Sequence, residues 1–192
     1  QVAHALSTHR VNMETDYFTA VDDLVQEADE SGAGMVGIQG YNSACLYRYA
    51  MVDVEQLSKN LQGDTKLTLT AVEAFLRAFC LVIPSAKQNS MAAQNLPSLV
   101  LLVARDRGVP ISLANAFAKP VVAEDVISTS MKRLADYFTQ ISKVYNLYDG
   151  ATFALVHDRE NAAVLGSLSV HAKDRFDEAV GTIVAKVRGG GA

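Results

Sequence analysis

Between Val11 and Ser43 the chain carries seven acids (Glu14, Asp16, Asp22, Asp23, Glu27, Asp29 and Glu30), the glycines Gly32, Gly34, Gly37 and Gly40, and no lysine or arginine. A stretch this acidic and glycine-rich reads as an excursion from a core and not as a core element. The segments on either side of it therefore belong to the packed body, and the excursion leaves that body and returns to it.

Residues Val2–Arg10 alternate loosely, with the β-formers Val2, Leu6 and Thr8, and predict a strand that ends near Asn12. Residues 44–54 (ACLYRYAMVDV) return to β-type side chains, and Glu55–Asn60 fits a short helix closed by a turn at Gly63. Asp64 or Thr65 can cap a longer helix whose apolar positions Val72, Phe75, Leu76, Phe79, Cys80 and Ile83 follow helical spacing until Pro84 ends it. Ser85–Gln94 reads as a polar loop. Leu99–Ala104 is an unbroken apolar run that suits a strand buried on both faces.

Further on, Ile127, Met131, Leu134, Phe138, Ile141 and Tyr145 recur at three and four, which predicts a second amphipathic helix. Ala151–Val156 supplies another strand. Phe176, Ala179, Val180, Ile183, Val184 and Val187 mark a last helix before a tail over 189–192. Strands and helices in this order predict an α+β layer: helices packed on one sheet around one core, with one arm over 11–41. The packed body would take residues 1–10 and 42–188. At 192 residues and 49% hydrophobic, the chain is long enough for such a core.

Several function classes find no support. The longest apolar runs are far shorter than the roughly 20 residues a membrane span needs. Cys45 and Cys80 lack the spacing of a metal knuckle or a disulfide framework and read as reduced core thiols. The histidines His4, His9, His157 and His171 have no metal spacing and no partner placed by sequence, and there is no phosphate loop or nucleophile elbow. No catalytic residue, metal or cofactor is expected. The chain opens at Gln1 on a patterned segment with no initiator Met, so sequence upstream is expected. A net charge of −4 has the wrong sign for a protein that grips a polyanion, because such affinity comes largely from Lys and Arg.

Four strings point the other way. They are Ala3–His9 leading into Asp16–Leu24 (DYFTAVDDL), Tyr47–Ala50 (YRYA), Ile83–Ala93 (IPSAKQNSMAA) and Ser112–Phe117 (SLANAF). In order and spacing they resemble the CasC family, the backbone subunits of the type I-E CRISPR Cascade complex. The resemblance implies a hand-shaped, non-enzymatic, cytoplasmic subunit with an RRM-like (ferredoxin-like) palm and a projecting thumb arm. Its implied partners are the guide crRNA, target DNA, other copies of itself and other Cascade subunits. The family's first palm strand, fingers and several basic RNA contacts lie N-terminal to the matched region, which would reconcile the acidic balance with RNA binding.

By position, the resemblance makes Tyr17, Phe18 and Val21 on one limb and Val36 on the other the residues that wedge against bases. A flat aromatic face stacks on any base, which suits a protein that accepts every guide. Helical periodicity alone would instead pack Tyr17, Phe18, Val21 and Leu24 on the palm. Lys87, Gln88, Asn89 and Ser90 offer a point charge and neutral donors for phosphate, or form an ordinary solvated loop. Arg48, on the strand face opposite Tyr47 and Tyr49, either reaches a phosphate or pairs with an acid such as Asp53. An enzymatic alternative is a metal-dependent target-RNA ribonuclease using Asp16, Asp22 or Asp23, since related backbone subunits of other CRISPR types cut through a thumb aspartate.

Overall fold

The computed structural model describes residues 1–20, 35–86, 88–158 and 162–189. The N-terminal segment runs antiparallel to residues 45–51. Its regular part, β1 (Leu6–Ser7), pairs with a later strand at Leu46–Tyr47, and the ribbon is extended by the Val2–Ala50 bridge and by Thr8 N–H donating to the Cys45 carbonyl at 2.9 Å. The arm rises from this ribbon as a second antiparallel pair, β2 (Glu14–Ala20) and β3 (Met35–Tyr41), in register from Glu14 opposite Tyr41 to Ala20 opposite Met35. Between the Thr8–Cys45 rung and the Glu14–Tyr41 pair, one limb has residues 9–13 and the other residues 42–44. This mismatch of two residues makes a break between the N-terminal ribbon and the arm.

β4 (Leu46–Tyr47) is followed by α1 (Val54–Asn60) and α2 (Thr65–Leu81). The strand expected over 44–54 stops early because Asp53 already caps α1, accepting the Gln56 N–H at 2.9 Å. Asp64 caps α2 through the Leu67 N–H at 2.8 Å, as its position suggested. The chain turns extended at Val82, ahead of Pro84. The segment expected to be a polar loop contains one helical turn, α3 (Gln88–Met91).

Next comes β5 (Leu99–Arg105), a 3₁₀ turn at Ala114–Phe117, α4 (Val126–Val144) and β6 (Ala151–His157). A kinked 3₁₀ segment at Ala162–His171 leads to α5 (Phe176–Gly189), which extends one residue into the expected tail; 190–192 lie outside the described residues. β5 and β6 pair antiparallel from Leu99 opposite His157 to Arg105 opposite Ala151.

This pair organises the core. Alternation sends Val100, Leu102, Ala104 and Ala154 to one face, where α5 contributes Ala179, Val180, Ile183 and Val184 and α2 contributes Leu69, Leu76 and Cys80. Leu99, Leu101, Phe153 and Leu155 turn to the other face, against Met131, Ala135 and Phe138 of α4 and Leu165 and Leu168 of the 3₁₀ segment. The apolar run at 99–104 is thus covered on both sides, as its composition required. The class is mixed helix and sheet, but the described residues form three two-stranded sheets where one sheet was expected, and two apolar layers where one core was expected. A two-stranded layer shows much apolar area on each face, and helices cover both.

Candidate nucleic-acid interface

The arm's β-backbone decides where its apolar residues point. In an antiparallel pair, directly opposed residues share a face and neighbours alternate. Tyr17 therefore lies beside Ile38 on one face, while Phe18 lies beside Gly37 on the other, together with Glu14, Asp16, Gln39 and Tyr41. Tyr17 and Ile38 are 65% and 64% exposed and Phe18 is 49% exposed, so neither aromatic is buried against the body. The helical spacing that would have packed Tyr17 and Phe18 inward does not describe this segment. Of the other two wedge candidates, Val21 lies outside the described residues, and Val36 is placed by its backbone only, opposite Thr19.

The arm is pinned where it leaves the body. Thr8 is buried, its Oγ1 accepts the Ser130 hydroxyl at 2.8 Å, and its carbonyl accepts the Val121 N–H at 2.9 Å. His9 bridges the two limbs. Its Nε2 accepts the Cys45 N–H at 3.1 Å, which puts the ring proton on Nδ1, 2.9 Å from the Arg10 carbonyl. A histidine without a sequence partner thus turns out to be a backbone clasp, a role that only the 36-residue loop closure creates.

Arg48 forms no ion pair with Asp53 among the described residues. Its guanidinium lies over the Phe79 ring, 4.6 Å from the centroid, and Phe79 in turn stacks on Phe75. Such a contact contributes about 0.5–1 kcal/mol at an exposed site and fixes the cation's orientation. The flanking tyrosines face the other way, as strand alternation predicts. Tyr47 accepts the Leu113 N–H at 2.8 Å and packs on Phe117, so the YRYA and SLANAF strings meet each other here. Burial, with Tyr47 nearby, pushes the Tyr49 hydroxyl above its usual range, although a hydrogen bond with the Ile111 backbone opposes this. Burial also raises the Cys80 thiol, with Arg48 pulling it back.

The α3 turn holds the remaining candidates. Gln88 donates to the Pro84 carbonyl at 2.8 Å and accepts from Gln94 at 3.2 Å, so its amide braces the turn from both ends. Asn89 is exposed. Lys87 lies outside the described residues, and so does the side chain of Ser90. The candidates therefore occupy three places: the arm, the α3 turn before β5, and the outer side of the chain after β4, against α2. Among the acids of the ribonuclease alternative, Asp16 stands opposite Gln39, and Asp22 and Asp23 lie outside the described residues. Among the described residues no His, Cys, Asp or Glu side chains gather in a group of three or more that could hold a metal, and no helix is long and apolar enough to cross a membrane.

Sequence reasoning missed Gly37. Its significance comes from the register, which sets it opposite Phe18, and four glycines in the excursion gave no reason to single it out.

Residues 1–182 match the family described as CT1975-like protein. No curated protein matches the chain. Among solved structures, a chain of one described as a CRISPR RNA-guided surveillance complex shares 34% identity at a TM-score of 0.80, over 97% of this chain and 70% of that one. Another, described as a CRISPR RNA-guided surveillance complex, pre-nicking, shares 33% identity at a TM-score of 0.79, over 96% of this chain and 49% of that one. The chain thus spans about half the length of the second. On sequence and fold together, it belongs to the CT1975-like family and is a CasC-like backbone subunit.

Proposed function

We propose that the intact subunit binds guide crRNA in a type I-E Cascade complex, polymerises along it beside the other subunits, and offers kinked, exposed bases to target DNA in the cytoplasm. The observation that carries this reading is the arm. It projects Tyr17, Phe18 and Ile38 into solvent on a segment without a single cation. Such an arm cannot clamp phosphates, but it can wedge between or stack on bases of any sequence. Sequence specificity is then left to base pairing, and the protein holds geometry.

In this reading the β5–β6 layer and its helices belong to an RRM-like palm. Phosphate contacts fall to Lys87, to Asn89 and Ser90 of the α3 turn, and to Arg48, whose guanidinium Phe79 holds in place. The subunit binds and assembles and catalyses nothing.

The test is to express the full-length subunit with guide RNA, pass it over a sizing column and run the peak on a denaturing gel. A multimer with a protected RNA of uniform length is expected. A protein peak that stays free of RNA after partner subunits are added would refute the proposal. Cleavage of target RNA that EDTA abolishes would favour the ribonuclease alternative.

A further inference from the structure

Phe18 and Gly37 are opposed across the arm. A Cβ built on Gly37 would meet the Phe18 ring, nearest to Cζ, and stand 2.6 Å from both Cε1 and Cε2. Equal distances to the two Cε atoms, only slightly longer than that to Cζ, place the Cβ position above Cζ along the normal to the ring. The ring therefore lies flat over the glycine and occupies the volume that any other residue's Cβ would fill. Real Cβ atoms do not come so close to a ring, so a side chain here must turn the ring away.

We infer that Gly37 is a positioning residue for the arm's stacking surface: its missing Cβ is the berth in which the Phe18 ring lies flat, with its outer face turned toward a base. This rests on the reading of the arm as a base-contacting element. One face of the ring is covered by the strand, and the 49% exposure of the residue leaves the other open. Aromatic side chains that cover a cross-strand glycine are a known device of paired strands. Here the covering ring remains available to a ligand. Glu14 and Asp16 share its face, so the chemistry that fits beside them is an uncharged base and not a phosphate.

Gly37 has no positive φ, so alanine fits its backbone, and replacing a strand glycine reduces the entropy lost on folding. Ring placement and hairpin stability should therefore separate. The experiment is a double-mutant cycle of Phe18→Ala and Gly37→Ala in the full chain. Its readouts are binding to a mixed-sequence single-stranded oligoribonucleotide and the melting temperature. Phe18→Ala is expected to weaken binding about 5- to 150-fold, the range for one lost base stack. Gly37→Ala should lose a comparable amount with the melting temperature held or raised, and the double variant should bind no worse than the weaker single one.

Native-like binding by Gly37→Ala, while Phe18→Ala is weakened, overturns the positioning role and leaves the arm's function standing. A fall in melting temperature that accompanies the loss in Gly37→Ala makes the glycine a packing residue and also overturns it. Unchanged binding by Phe18→Ala, or no binding by the native chain, removes the base-contacting reading and this inference with it.

Discussion

Cys80 lies on α2 against the face of the sheet that carries Val100 and Leu102, and burial there raises its thiol pKa above the ordinary 9.0. The folded chain thus holds the thiol proton more tightly than the unfolded chain. The unfolded chain releases it first as pH rises, so the stability that this difference contributes is present at neutral pH and is lost as pH climbs through about 9 and beyond. Urea midpoints at pH 8 and pH 10 should show a fall that is smaller in Cys80→Ala than in the native chain. Equal falls would mean that the thiol is not the source. Tyr49, raised by burial as well, adds its own loss at still higher pH, which is why the comparison is made between variants and not between pH values alone.

At the scale of elements, the arm depends on its root. His9 ties the two limbs through the Cys45 N–H, and Thr8 ties the ribbon to α4 through Ser130. His9→Ala should cost about 0.5–1.5 kcal/mol, the usual net worth of one hydrogen bond. It should also speed hydrogen exchange at the Cys45 amide more than at amides of α2. Uniform acceleration across the chain would point to general destabilisation.

Which elements the sequence announced follows from where their signals lie. α4 and the cap at Asp64 were legible because helical spacing and N-capping are local in sequence. β5 was legible because a run of apolar residues needs burial on both faces whatever covers them. The pairing of β2 with β3 was not, because short acidic segments with isolated aromatics suit a helical turn as well as a strand, and only register separates Tyr17 from Phe18. Arg48's partner was equally hidden, since Phe79 lies thirty-one residues further along and meets it only when α2 packs back.

The whole molecule is held by the β5–β6 layer between its two apolar faces. Leu155 is fully buried in the face toward α4, while Ala154 beside it serves the opposite face. Leu155→Ala should destabilise the chain by about 2–5 kcal/mol, the range for emptying a buried leucine site. If the layer couples both helical faces, denaturation followed by α-helical circular dichroism and by tyrosine fluorescence should remain one coincident transition at a lower midpoint. Two separate transitions would mean that the faces unfold independently.

The arm's rungs also make its reach discrete. Each added cross-strand pair lengthens an antiparallel hairpin by about 3.4 Å and turns the next side chains to the opposite face. An arm lengthened by one pair would present Tyr17 where Phe18 now points. Only steps of two pairs, about 7 Å, preserve the present faces, and because both limbs leave the body side by side at Thr8 and Cys45, such a step requires no change in the core. Reach in this architecture can therefore be graduated like the marks on a ruler, by inserting rungs in even numbers, while the body that carries the arm stays the same.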